Sequence, residues 1–406
     1  MFLQAGKYIA ASEIRKNETS TYRYPCYGGN GQRGFVKLFN SCGEYPLVGR
    51  QGALCGNINF AAGKFYATEH AVIVKVFSGC FPQWAAIFLK ALNLNQYSTA
   101  TAQPGLSVNV INTLLIPLPP VAEQQRLISQ IETSFTEVDK IDKDSADLES
   151  ALSLAKQKVL DLAIRGKLVP QNPADEPASE LLKKINAEKE TLVKAGKIKK
   201  VKHESFIFRG DDNCYYEQLN GKSVKITAEI PFDLPDGWVW SRLRSLGTIV
   251  GGGTPSTLNA DYWNGEIPWL SPADLTDYHK KYISRGRKNI TTDGLAHSSA
   301  VLMPSGSILY SSRAPIGYVV IARNAISTNQ GFKSLVPAIN GLSEFLYYIL
   351  IGVTPDIKRR ATGTTFKEIS GAEFGETLVP LPPLREQLRI VQAIEQYDSI
   401  LGPISK

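Results

Sequence analysis

The side chains able to do chemistry in this sequence are a few cations and amides beside glycine turns. Arg50 lies between Gly49 and Gln51, and Arg313 follows Ser312, each among β-prone runs. An arginine so placed can offer two parallel donors to guanine O6 and N7. Gln51, Asn329 or Gln330 can pair with the edge of adenine. Either arginine could equally be the structural partner of a carboxylate inside the fold, and residue type leaves both readings open. The stretch Tyr278-His279-Lys280-Lys281-Tyr282, followed by Arg285, Arg287 and Lys288, interleaves cations with aromatics. It could neutralise phosphates and stack against a backbone, or be a solvated loop.

Motifs for bond-making chemistry are missing. Gly251-Gly252-Gly253-Thr254-Pro255 lacks the lysine of a nucleotide phosphate loop and meets a proline, so it reads as a turn. Pro-Pro occurs only at 119–120 and 382–383, without the Asn/Asp and aromatic flanks of an amino-methyltransferase. Pro355-Asp356 and Lys367-Glu368 have the wrong order and spacing for a metal nuclease. The four histidines (His70, His203, His279, His297) form no zinc pattern, and no Gly-x-Ser-x-Gly elbow is present. The reading is therefore of a non-catalytic chain with no cofactor or metal of its own.

Composition agrees with that. A net charge of +7 suits a polyanionic partner but proves none. Five irregularly spaced cysteines without Cys-x-x-Cys suggest a reducing, cytoplasmic setting. Apolar runs fall short of the roughly 20 residues of a membrane span, and residues 1–7 lack a secretion-signal layout.

What positions these side chains is a repeated frame. Leu115-Ile116-Pro117-Leu118-Pro119-Pro120-Val121-Ala122-Glu123-Gln124-Gln125-Arg126 returns as Leu378-Val379-Pro380-Leu381-Pro382-Pro383-Leu384-Arg385-Glu386-Gln387-Leu388-Arg389, at 380 − 117 = 263 residues. So long a spacing means a duplicated domain rather than a solenoid, whose period is roughly 20–50 residues. Each copy is expected to end a domain, because its prolines remove donors and hold their neighbours extended. The expected organisation is a globular unit over 1–116, a long helix in 117–166, a polar and basic linker over 167–230, a second unit over 231–379 and a final helix in 380–406.

In the first unit a strand is expected over 71–77 and a helix over Pro82 to Ala91. In the second, strands are expected at 238–240, 307–310 and 317–321, and a helix over Ser343 to Gly352. The long helix, from Val121 to Arg165, spaces Ile131, Phe135, Val138, Ile141, Ser145, Leu148, Leu152, Ala155, Val159 and Leu162 at steps of three and four. At ~1.5 Å per residue it would span roughly 65 Å. The linker holds a short charged helix (179–194) and a basic run of Lys194, Lys197, Lys199, Lys200 and Lys202, either a solvated face or a phosphate contact. The repeat enters the domains: Gly49-Arg50 matches Ser312-Arg313 at 263, and Ala67-Thr68-Glu69-His70 matches Ser327-Thr328-Asn329-Gln330 at 260. By its own repeat the sequence looks short at both ends. The counterpart of Trp238 to Leu246 would precede residue 1, and the counterpart of Arg165 would follow Lys406.

These residues resemble the specificity subunit of bacterial type I restriction–modification systems. The likeness rests on the two Pro-Leu-Pro-Pro-x-x-Glu-Gln-x-x-Arg copies and on Ala163-Ile164-Arg165-Gly166-Lys167-Leu168-Val169-Pro170. It rests also on Leu234-Pro235-Asp236-Gly237-Trp238-Val239-Trp240, Gly252-Gly253-Thr254-Pro255, Tyr262-Trp263, Ile267-Pro268-Trp269 and Ser312-Arg313-Ala314-Pro315-Ile316-Gly317. In the first half it rests on Tyr27-Gly28-Gly29-Asn30-Gly31 and Gly49-Arg50-Gln51-Gly52-Ala53.

The resemblance implies an α+β fold of two target-recognition domains separated by long antiparallel, coiled-coil-like helices, with an internal pseudo-two-fold repeat. It implies that each domain reads half of a bipartite, asymmetric site on double-stranded DNA. On that footing Tyr27, Asn30, Arg50, Gln51, His70, Tyr278, Lys280, Lys281, Arg285, Arg313, Asn329 and Gln330 are the candidate DNA-facing residues. Arg126, Phe135, Leu148, Leu152, Val159, Leu388, Arg389 and Ile394 are the candidates for docking two modification subunits and the restriction subunits. Those partners would carry S-adenosylmethionine, ATP and Mg in a bacterial or archaeal cytoplasm, in defence against phage. The competing expectation is a helical scaffold whose DNA contact is incidental.

Overall fold

The computed structural model describes residues 1–52, 54–99, 104–198, 205–219, 221–363 and 366–401. The chain divides into two compact units, Met1–Ala146 and Asp147–Lys406.

The first unit carries strands β1 (Phe2–Ala5), β2 (Tyr24–Gly28), β3 (Gly31–Val36), β4 (Ser41–Cys42), β5 (Tyr45–Gly49), β6 (Ile58–Ala61), β7 (Lys64–Ala67) and β8 (Ala71–Lys75), then helices α1 (Pro82–Ala91) and α2 (Val108–Asn112). They form two sheets, in the orders β1-β8-β5-β6 and β3-β2-β7-β4. The run Ala71-Val72-Ile73-Val74 is apolar throughout because β8 is buried on both faces. Ala71 and Ile73 enter one core with Leu47 and Phe65, whereas Val72 and Val74 enter another with Val48, Leu89 and Leu106. Helix α1 begins on Pro82, which loses no needed donor at that position, and buries Trp84, Ala85 and Leu89.

The first Pro-Leu-Pro-Pro copy is an irregular strap leading into α3 (Val121–Ile164). The repeated glutamine explains the motif. Gln124, fully buried, donates from Nε2 to the Gly79 and Pro119 carbonyls (2.8 Å each) and accepts the Phe81 N–H at 2.9 Å. Gln387 in the second copy donates to the Pro382 carbonyl at 3.0 Å. Each strap thus has its proline carbonyl held by the amide five residues on.

The boundary between the units falls inside α3. The second unit continues through α4 (Ala178–Lys194), β9 (Ser205–Arg209), β10 (Tyr215–Leu219), β11 (Lys222–Lys225), β12 (Val239–Arg242), α5 (Leu243–Leu246), β13 (Gly247–Gly251), β14 (Trp263–Leu270), β15 (Tyr282–Ile283) and β16 (Lys288–Ile290). It closes with α6 (Thr292–Ala296), β17 (Ile308–Tyr310), β18 (Val319–Ala322), β19 (Ser327–Thr328), β20 (Lys333–Pro337), α7 (Ser343–Arg360), α8 (Gly371–Gly375), β21 (Leu378–Leu381) and α9 (Leu384–Leu401). The main sheet is β13-β20-β17-β18-β15, with smaller sheets β16-β14-β19, β12-β21 and β11-β10-β9. The end of α3, α4, α7 and α9 share one core through Val159, Ala163, Leu181, Ile185, Phe345, Ile390 and Ile394.

Three expectations are corrected. The stretch 167–230 is folded rather than a linker. Helix α4 buries Ala178, Leu181 and Ile185, and sheet β11-β10-β9 buries Ile207 and Tyr215 against Trp240. Its sequence reads as polar because only every third or fourth residue of the helix and alternate residues of the sheet face the core. Of its basic run, Lys194 and Lys197 are exposed, while Lys199, Lys200 and Lys202 lie outside the described residues, as does Ala53. Helix α7 does not stop at Gly352 but runs through Pro355 to Arg360. Burial of Ile357, and ion pairing of Arg360 with Asp356 at 2.9 Å, carry it past the donor the proline lacks. Finally, the second Pro-Leu-Pro-Pro is not simply a stop. Pro380 and Leu381 lie in β21, paired with Trp240 and Val239 of β12.

Candidate nucleic-acid interface

The two units repeat one backbone scaffold. β1-β8-β5-β6 of the first has the order and antiparallel pairing of β13-β20-β17-β18 of the second. In each, a short parallel pair also meets the turn side of the sheet, β2 with β7 and β14 with β19. The glycine that leaves the edge strand is required by contact. A Cβ on Gly6 would lie 2.2 Å from the Thr68 carbonyl oxygen, and one on Gly252 1.9 Å from that of Asn329. The next residue then donates across in both units, Lys7 to Ala67 at 3.0 Å and Gly253 to Thr328 at 2.8 Å.

This network sets a register that differs from the sequence match by one residue. Arg50 N–H donates to the His70 carbonyl at 3.0 Å, and Ser312 N–H donates to that of Gly331 at 2.7 Å. The Arg50 carbonyl accepts from Leu106 at 2.9 Å, and the Ser312 carbonyl accepts from Ile369 at 3.1 Å. Gln51 bridges to Gly105, and Arg313 to Glu368. Arg50 is thus the counterpart of Ser312 (312 − 50 = 262), and Gln51 that of Arg313. Likewise Thr68 N–H donates to Tyr27 as Asn329 N–H does to Leu270, so Thr68 corresponds to Asn329 and His70 to Gly331. A one-residue shift along extended chain turns a side chain to the other face. Arg50 and Arg313 therefore do not hold equivalent places.

In the first unit the structure gathers most of the candidates. Gly29, Gly49 and His70 are in van der Waals range, and a Cβ on Gly49 would sit 1.9 Å from the Gly29 carbonyl oxygen. Around them Asn30 and Gln51 are exposed and Arg50 and His70 half-buried. Asn30 Oδ1 accepts from Asn57 Nδ2 at 3.2 Å, and His70 Nε2 lies 3.2 Å from Glu69. The Arg50 guanidinium makes no hydrogen bond or ion pair to any described residue. Tyr27 is the exception. Its ring packs edge-on against Phe65 at 5.9 Å, and burial pushes its phenol upward in pKa, so it belongs to the core wall.

In the second unit Gln330 is exposed and accepts from the Thr254 hydroxyl. Asn329 uses its own Oδ1 to accept from Gly331 N–H at 2.9 Å, shaping the turn. Arg313 Nη1 lies 3.3 Å from Glu368 Oε2, and Lys333 Nζ lies 3.1 Å from the other oxygen. Neither Glu368 nor Lys333 is among the DNA-facing candidates of the sequence, and Thr254 reads there as part of a turn, because each acts through a residue distant along the chain.

The cation–aromatic stretch separates into two kinds. Tyr278 is half-buried and donates to the Tyr282 carbonyl. Lys281, only 16% exposed, is ion-paired with Glu395 and lies 3.7 Å from Glu344, over the rings of Tyr282 and Tyr348. Burial, then the hydrogen bond to Glu344, pushes the Tyr282 phenol up to about 12. These residues lock the strand to α7 and α9. Arg287 pairs with Asp274 at 2.9 Å, whereas Lys280 and Arg285 are exposed and make no ion pair with a described residue. Lys281→Ala is therefore expected to lower stability while leaving the salt dependence of duplex binding unchanged. Lys280→Ala should lower the log–log salt slope by about 1 if it contacts a phosphate. Binding titrations across a salt series, with melting curves alongside, separate the two.

The candidate docking residues also divide. Arg126, Phe135, Leu148 and Leu388 are exposed, as are Val138 and Ile141 on the same α3 stripe. Leu152 is buried, and Val159 and Ile394 belong to the core of the second unit. Arg389 is held by the buried Asp175 at 2.7 Å. Among the described residues no group of three or more His, Cys, Asp and Glu could hold a metal ion, and no helix is long and apolar enough to cross a membrane.

A duplicated α+β domain with a long helix between its copies, carrying different polar side chains on one scaffold, defines a class of paired recognition modules. The chain belongs to the type I restriction modification DNA specificity domain family, whose model matches residues 2–148 and 235–403. It is 40% identical over 170 residues to the type I restriction enzyme MjaIX specificity subunit of Methanocaldococcus jannaschii, covering 41% of this chain and 39% of that one. It is 44% identical over 147 residues to the EcoprrI specificity subunit of Escherichia coli, covering 35% and 37%. These matches span about two fifths of each relative's length. A solved structure from work on complex assembly and conformational transition of the type I restriction–modification system shares the fold. Its TM-score is 0.60 at 20% identity, over 96% of this chain and 78% of that one.

Proposed function

We propose that this chain is the sequence-specific DNA-binding specificity subunit of a type I restriction–modification system. Each unit would read one half of a bipartite, asymmetric site on double-stranded DNA. The observation that carries this is the register equivalence. Two units hold the same backbone network around the same turns, yet set Arg50 and the exposed Gln51 in one where Ser312, buried, and Arg313 stand in the other. A shared frame with unlike readers is what an asymmetric site demands of a single chain.

On this reading the chain performs no catalysis. The exposed stripe of Phe135, Val138, Ile141 and Leu148, with Arg126 and Leu388, docks the two modification subunits and through them the restriction subunits. S-adenosylmethionine, ATP and Mg belong to those partners, and the assembly works in a bacterial or archaeal cytoplasm. Expression of the chain with its modification subunits, in a host stripped of other methyltransferases, should mark adenines in one bipartite motif. Genome-wide methylation at no discrete motif, or at one with identical halves, would count against the proposal.

A further inference from the structure

We propose that Glu368 is a positioning residue that sets base specificity by aiming the Arg313 guanidinium; this rests on the DNA-reading role proposed above. Arg313 and Glu368 face each other across an antiparallel bridge. Arg313 Nη1 meets Glu368 Oε2 at 3.3 Å, with the two side chains 37% and 35% exposed. The other carboxylate oxygen holds Lys333 Nζ at 3.1 Å, and Lys333 donates in turn to the Gln330 carbonyl at 3.3 Å. One carboxylate therefore ties the Arg313 strand to the turn that carries Gln330.

The guanidinium has five donors. Only Nη1 is engaged by a described residue, which leaves enough of the fork for the two acceptors of one base edge. Fixing a rotamer-rich side chain beforehand removes an ordering cost from binding. The carboxylate also adds a repulsion toward phosphates that a bare arginine would lack. Both effects favour base reading over backbone contact. Among the described residues the first unit shows no such device: Gly105, which has no side chain to pair, stands opposite Gln51 at the equivalent bridge. Among the described residues the carboxylate buttress thus belongs to one half of the site.

The test is methylome sequencing of hosts carrying the full system with wild-type chain, Glu368→Gln or Glu368→Asp. With Glu368→Gln, one base position in one half-site is expected to relax, minor bases there rising about tenfold in modified fraction, while the other half is unchanged. Glu368→Asp keeps the charge and should keep the wild-type base. Purified Glu368→Gln should also bind random duplex several-fold more tightly at low salt, because a carboxylate that repels phosphates is gone, while the relaxation confined to one base position is what a merely structural ion pair would not produce. An unaltered motif, equal relaxation in both halves, or equal relaxation by Glu368→Asp overturns the inference. Should Glu368→Gln abolish methylation, the random-duplex measurement decides, and unchanged or weaker binding overturns it. Absence of any bipartite motif with the wild-type chain would instead overturn the DNA-reading role itself.

Discussion

Arg242→Ala is expected to destabilise the second unit by about 2–4 kcal/mol, because it leaves a buried carboxylate with only Arg244 to pair it. Arg242 is 8% exposed in its side chain and Glu217 10%. Arg242 donates to Glu217 from Nε at 3.1 Å and from Nη2 at 2.7 Å, to Glu229 at 2.8 Å, and to the Glu376 carbonyl at 2.9 Å. Arg244 completes the cluster, 3.1 Å from Glu217 and paired with Glu376. Through these bonds sheet β11-β10-β9 is fastened to β12 and to the loop before β21. Exposed ion pairs contribute only about 0–1 kcal/mol, so the size of the loss separates a desolvated cluster from a wet one. Urea unfolding followed by tryptophan emission is suitable, since Trp238, Trp240, Trp263 and Trp269 all lie in this unit. A loss under about 1 kcal/mol would mean that the cluster is solvated.

The same cluster sets an acid limit. Burial alone would raise the Glu217 carboxyl, yet hydrogen bonds from Arg242 and Ser205, with the charges of Arg242 and Arg244, hold it below the usual glutamate range. A depressed folded value means that its stabilisation is full above the unfolded glutamate range. It is lost as pH falls through the folded value. In Arg242→Ala that acid-dependent part of the stability should shrink.

The second large effect is on discrimination. Arg50→Ala and Arg313→Ala are each expected to cost about 1–3 kcal/mol of preference for the cognate base at one position. The two positions should fall in different half-sites. With no shared partner, the double variant should lose about 2–6 kcal/mol. Competition between cognate and scrambled duplexes at fixed salt measures this. If both variants keep the wild-type preference while the complex still assembles, the arginines are structural and the scaffold reading gains. Arg50 is the cleaner case, because its guanidinium has no ion-pair partner among the described residues, whereas Arg313 already shares Glu368.

Much of the frame was legible in the residues. The proline straps and the buried Gln124 and Gln387 stand at constant spacing because their hydrogen bonds are local, five residues from carbonyl to amide. Helix α1 could be bounded by its proline, and β8 by an apolar run too short for a helix. Less could be read in 167–230. There a charged surface hides the residues of α4, three and four apart, and the alternate residues of the small sheet that reach the core.

By itself, the sequence determined that the domain is duplicated, that a long helix runs between its copies, and which residue types could meet DNA. Tertiary structure decided which of those side chains are free to do so. Lys281 is taken by Glu395, 114 residues on, whereas Arg313 is held through one nitrogen by Glu368, 55 residues on, with the rest of its fork engaged by no described residue. No local pattern announces such pairings. It also decided the register between the units. The side-chain motifs match at 263, whereas the hydrogen-bonded positions correspond at 262 (312 − 50). In extended chain that one residue changes which face a side chain meets, and so which of two adjacent residues can read a base.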